Sequence, residues 1–206
     1  MKFRKGVAAA CAALAVQVAA VGWLVWRYER VVLLGEEVRM KCRAYDPYDP
    51  LRGRYLRVSV DGDCRNILFE YNPEETWRRI SGDVFAKLAK SPDGLWRVEA
   101  VAREPGPDGL WVKRDGARLD YVLEYGDKRQ DEDYEAFHKR RKASGIKAEV
   151  SFPGQLFVNE KIAPAAEKLI QEKASSAIAV YRVLDGRIVL TGIEIDGRSV
   201  QSAVKE

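Results

Sequence analysis

Residues 46–60 read DPYDPLRGRYLRVSV, and the fold turns on how this stretch is read. Asp46-Pro47 and Asp49-Pro50 start turns, because an Asp carboxylate bonds the backbone ahead of it and proline pre-sets φ. Gly53 supplies the positive φ that ends such a turn. From Arg54 to Val60 the pattern alternates, with Leu56, Val58 and Val60 on one face and Tyr55, Arg57 and Ser59 on the other. That is the signature of a half-buried strand. No nucleophile–base pair, metal-ligand cluster or phosphate loop accompanies it, so the residues disclose no chemical activity, cofactor or metal.

Upstream, Val7 to Trp26 is apolar except for Gln17 and the thiol of Cys11. About 20 such residues at 1.5 Å each match a hydrocarbon core of roughly 30 Å. Lys2, Arg4 and Lys5 precede the run, and Trp23, Trp26 and Tyr28 follow the pattern of an interfacial belt. The expectation is a single transmembrane anchor over residues 1–28, in a bacterial inner membrane. Its N-terminus is cytoplasmic, and the body, residues 29–206, is periplasmic. The rival reading is a cleaved signal peptide, for which Val18-Ala19-Ala20 offers small residues. Ala8, Ala12, Ala15, Ala19 and Gly22 form a small-residue stripe of the kind that lets helices pack closely in lipid. The partners expected are the bilayer and an integral membrane protein or a second copy held through the anchor.

Residues 1–26 hold three of the 35 basic residues and no acid, which leaves 32 bases against 31 acids in the body. A near-neutral body argues against nucleic-acid binding, which needs a surplus of phosphate-neutralising cations. Three cysteines are too few for a disulfide framework. A straight hairpin around Val38 and Val58 sets Cys42 opposite a residue near Arg57, not Cys64, so two inert thiols are favoured over a bridge.

Along the body, Val31 to Tyr45 reads as extended chain with a break at Gly35. Ile67 to Tyr71 reads as a short strand. Asn72-Pro73-Glu74-Glu75 is a helix start, with a cap, a proline at the first position and acids at the positive dipole end. Trp77, Ile80, Val84, Phe85 and Leu88 carry its apolar stripe to Lys90. Strands follow at Leu95–Arg103, Leu110–Lys113 and Leu119–Glu124. Residues 127–147 form a charged insert, acids first and bases last, read as an exposed helix or mobile insert. It contains His138, the only histidine, read as a surface residue. Strand 155–159, helix 164–173 and a hairpin over 177–195 complete the chain, the hairpin turning at Asp185-Gly186 as type I′. The polar tail after Asp196-Gly197 is expected to fray. The fold class expected is α+β, a mainly antiparallel β domain with a few short helices behind one transmembrane helix.

Three separated segments carry a resemblance. RGRYLRVSV after its proline-rich turn resembles the signature of the GDYXXLXY family. LEYG with LFVNE is similar to that family's second block, and AVYRVLDGRIVLTGIEIDG to its closing hairpin. The motif positions are Gly53, Tyr55, Val58, Val60, Phe157 and Glu160; Arg54, Val58 and Val60 replace the motif's Asp, Leu and second Tyr. The resemblance implies a membrane-anchored protein that works beside an integral membrane protein, and it brings no catalytic residues. Each of these residues also has a structural reading: turn glycine, packing aromatic, helix-capping carboxylate.

Two other functions set against this non-enzymatic one are a serine–lysine hydrolase using Ser59, and a small-ligand or metal sensor using Asp46, Asp49, Asp61 and Asp63.

Overall fold

The computed structural model describes residues 2–44, 55–70, 79–124, 142–159, 162–173 and 175–204, with side-chain surroundings given except at 2–11, 44, 55, 121–124 and 142–145. Its first element is helix α1, Lys2–Leu34. Val31 is buried, and the end of α1 packs on the strands of the C-terminal hairpin. Gly35 makes the elbow into the first strand. A Cβ there stands 2.4 Å from the Val31 carbonyl oxygen, a space only glycine leaves open. The extended chain expected from Val31 is therefore helical to Leu34 and extended only from Glu36.

The expectation of a transmembrane anchor is not met. Among the described residues no helix is long and apolar enough to cross a membrane. The apolar run of α1 ends at Trp26. Arg27, Glu29 and Arg30 follow, and the last turn is spent on the body of the protein. The single-pass part of the fold class and the inner-membrane localisation are corrected on this finding.

Beyond the helix the chain is built from antiparallel strands in two sheets. The first has six strands, in the order β11 (Arg198–Ser199), β10 (Arg187–Ile195), β9 (Ala177–Leu184), β1 (Glu36–Ala44), β2 (Tyr55–Val60) and β8 (Gln155–Phe157). The second has five, in the order β3 (Asp63–Cys64), β7 (Lys142–Glu149), β6 (Leu110–Glu124), β4 (Arg79–Lys90) and β5 (Trp96–Ala102). Val38, Met40 and Tyr181 from the first and Val84, Val112 and Ala148 from the second belong to one buried core. Helices α2 (Ala163–Glu172) and α3 (Val200–Ala203) add Ala166, Ile170 and Val200 to it.

The two sheets are continuous at one corner. Tyr55 faces Phe157 and Cys64 faces Ala148, nine residues further along on each strand, so no residue is gained or lost between them. Within that span the Val58 N–H donates to the Gly154 carbonyl at 2.8 Å, and the Val150 N–H to the Gly62 carbonyl at 3.1 Å. One register thus carries from β2/β8 in the first sheet to β3/β7 in the second. Gly62 and Gly154 permit the close approach, since a Cβ on either stands 2.0 or 2.1 Å from the facing carbonyl oxygen. A second seam forms where the Lys113 N–H of β6 donates to the Gly186 carbonyl of the β9–β10 turn at 2.8 Å. Two sheets tied at both places wrap the core nearly into a barrel, which limits exposed strand edges.

Several local expectations change. Arg79–Lys90 is a strand, with Val84, Ala86 and Leu88 buried at period two. The helical spacing there rested on Phe85, which lies off the period-two face of Val84, Ala86 and Leu88. Asn72–Arg78 lies outside the described residues. Leu110–Lys113 and Leu119–Glu124 are one strand, kinked at Gly116 (φ +88°). Lys142–Glu149, the end of the charged insert, is β7; the rest of the insert, with His138, lies outside the described residues. Ile67 makes one isolated parallel bridge to Val101 rather than a strand. The C-terminal hairpin stands as read, with Asp185 (φ 50°) and Gly186 (φ +74°) giving the type I′ turn. Asp196 and Gly197 repeat it, and the tail pairs back as β11 instead of fraying. Cys42 faces Val60, and Cys42 and Cys64 are both buried and free.

Candidate functional site

The corner is where the described motif residues gather. Val58 is buried in the core and Val60 half-buried, so both are packing residues on the inner face of β2. Tyr55 holds its backbone place opposite Phe157. Gly53, Arg54 and Glu160 lie outside the described residues. Phe157 is 73% exposed, an unusual position for a large aromatic side chain.

A cleft of about 600 Å³ lies on one side of the corner, with Tyr28 of α1, Arg57, Gln155, Phe157, Ile188 and Leu190 on its walls. Tyr181 supports its floor. It is fully buried, and its hydroxyl donates to the Pro153 carbonyl at 2.9 Å. Burial raises that hydroxyl well above the usual tyrosine range, so it acts as a donor and not as an acid.

A second cavity of about 480 Å³ lies between β4, β6 and the corner, where Arg79, Arg114, Arg118, Asp115, Glu149 and Ser151 meet. Arg118 bonds Asp120 at 2.7 Å and Glu149 at 2.8 Å. Hydrogen bonding to Asp120, aided by Glu149, holds the Arg118 proton more tightly than usual. Arg114 is half-buried, and its Nε donates to the Ser151 carbonyl at 2.7 Å. Burial pulls its proton affinity below the usual arginine range, against the opposing pull of Tyr181 and Asp115.

Ser59 is exposed and shares a third, more polar groove with Lys41 and Lys147. Lys147 is bonded to Asp63, which raises its proton affinity, the opposite of what a serine-activating base needs. Asp61 accepts the Asp63 N–H at 3.2 Å, the turn-forming bond. Asp46 and Asp49 lie outside the described residues. Among the described residues no group of three or more His, Cys, Asp or Glu is placed to hold a metal ion.

On α1, Ala12, Ala15, Ala19 and Gly22 are exposed, as are Leu14, Val16, Val18, Val21, Trp23, Leu24, Val25 and Trp26. Ala8 belongs to the helix, but its side-chain surroundings lie outside those described. The C-terminal end of the helix, from Arg30, meets the body. Arg27 and Arg30 lie over the rings of Trp23 and Trp26 at 6.0 and 5.0 Å, and Arg30 reaches Asp185 at 3.9 Å. Sequence reasoning found the stripe and the motif strand. It missed the arginine cavity, whose members are scattered from Arg79 to Ser151 with nothing local to mark them.

A family model described as GDYXXLXY protein matches residues 17–193. No curated protein and no solved structure matches the chain.

Proposed function

The chain belongs to the GDYXXLXY family, and from that premise we propose that it works by binding another protein, as a non-enzymatic accessory. The observation that carries this reading is α1. From Ala12 to Trp26 the helix is exposed on every side and apolar except at Gln17. A contiguous apolar surface of that size, joined to the body at the Gly35 elbow and the Arg30–Asp185 contact, supports a docking role. The Ala12, Ala15, Ala19 and Gly22 stripe suits close approach of a partner helix. Integral membrane proteins are the class that presents such helices, and one of them is the partner proposed.

The test is cross-linking of the full chain in cell extracts, comparing the native chain with Ala15→Glu and Ala19→Glu. A discrete cross-linked partner, lost in both variants while the β domain stays folded, supports the reading. A chain that remains monomeric and uncross-linked, or whose cross-links ignore the stripe, overturns it. Cross-linking to a second copy alone replaces the accessory role with self-association.

A further inference from the structure

We propose that the cavity between β4, β6 and the corner binds an oxyanion, a phosphate or carboxylate group, through Arg79 and Arg114. The inference stands apart from the docking role of α1. Three arginines and two acids line this space. Arg118 is committed to Asp120 and Glu149, which also commits Glu149. Among the described residues neither Arg79 nor Arg114 has a carboxylate at ion-pair distance, and Asp115 acts on Arg114 only at longer range.

The backbone is shaped for this. Gly116, at φ +88°, lies where a Cβ stands 2.4 Å from the Ile80 carbonyl oxygen and 3.8 Å from Nε of Arg79. The β4–β6 register slips between Ile80 and Asp83 at the same place. A bulge with a glycine opposite it re-aims side chains, and such bulges favour binding sites. Here it opens the floor of the cavity beside Arg79. From the opposite wall, the bond from Nε to the Ser151 carbonyl fixes the plane of the Arg114 guanidinium. That leaves its terminal nitrogens to form a two-pronged donor pair, the geometry that matches two oxygens of a carboxylate or phosphate. A half-buried guanidinium satisfied only by a neutral carbonyl lacks charge compensation, and an oxyanion supplies it.

The probes are inorganic phosphate and acetate, titrated into the full chain by calorimetry with sodium chloride holding the ionic strength constant. Saturable heat from phosphate alone identifies a phosphoryl ligand; heat from both identifies a carboxylate-tolerant site. Arg79→Gln and Arg114→Gln each weaken binding about tenfold or more, as loss of a charge-assisted pair requires. Arg97→Gln, at a surface arginine paired with Asp93, leaves binding unchanged. If Arg114→Gln does not fold, exposed Arg79 decides the matter alone. Binding of neither anion, or binding indifferent to the Arg79 substitution, overturns the proposal.

Discussion

At the residue scale, two glycines and a thiol report on the interior. Gly62 and Gly154 lie where a Cβ meets a backbone oxygen of the facing strand, and backbone cannot swing aside as a side chain can. Gly62→Ala and Gly154→Ala are each expected to cost roughly 2 kcal/mol or more. Gly192→Ala, with open space around the added methyl, is expected to stay within about 0.5 kcal/mol. Urea unfolding of the three variants checks the contrast. Cys42 tests burial through pH. Desolvation pushes its thiol up to about 12 from a reference of 9.0. The folded chain therefore holds that proton more tightly than the unfolded chain. Its contribution to stability is whole below about pH 9 and is lost as pH climbs towards about 12. Cys64 and Tyr181 shift in the same direction. Urea midpoints measured between about pH 8 and 11 should fall for the native chain, and less steeply for Cys42→Ala. Equal slopes would contradict the burial of this thiol.

At the scale of the element, Arg79–Lys90 is the sharpest case. A strand buries Ala86 with Val84 and Leu88; a helix with the Val84–Leu88 stripe turns Ala86 outward. Ala86→Glu is therefore expected to cost about 3 kcal/mol or more, since it buries an unpaired carboxylate in the core. Lys87→Gln, which loses only the surface pair with Glu99, is expected to cost under about 1 kcal/mol. Chemical denaturation separates the two. The misreading of this segment has a physical origin. Within Arg79–Lys90, Val84, Phe85 and Leu88 mimic helical spacing. What overrides them is pairing with β5 and β6, which no local window contains. The β9–β10 hairpin was legible because Asp185-Gly186 holds all of its instruction in two adjacent residues. The strand at 55–60 was legible for a similar reason, through its alternation. Its partner, a hundred residues on, was not, and neither was the cavity that Arg79, Arg114 and Arg118 share.

At the scale of the whole molecule, two sheets and a helix are joined at few places. The corner makes one joint, the Gly186–Lys113 bond another, and the Gly35 elbow with Arg30–Asp185 a third. Glu149 and Ser151 lie on the walls of both the cleft and the arginine cavity, so both hollows exist only while the corner is closed. The apolar surface of α1 is joined to the body at the third joint, which ties it to the hairpin turn that also bonds β6. Native-state amide exchange at Val58 and Val150, the two donors that cross the corner, tests this arrangement most directly. The structure predicts that both amides exchange only through global unfolding, with the same free energy as Val112 in the middle of β6. Fast local exchange at Val58 and Val150 while Val112 stays protected would show two separate sheets, and would contradict the continuous register on which both hollows depend.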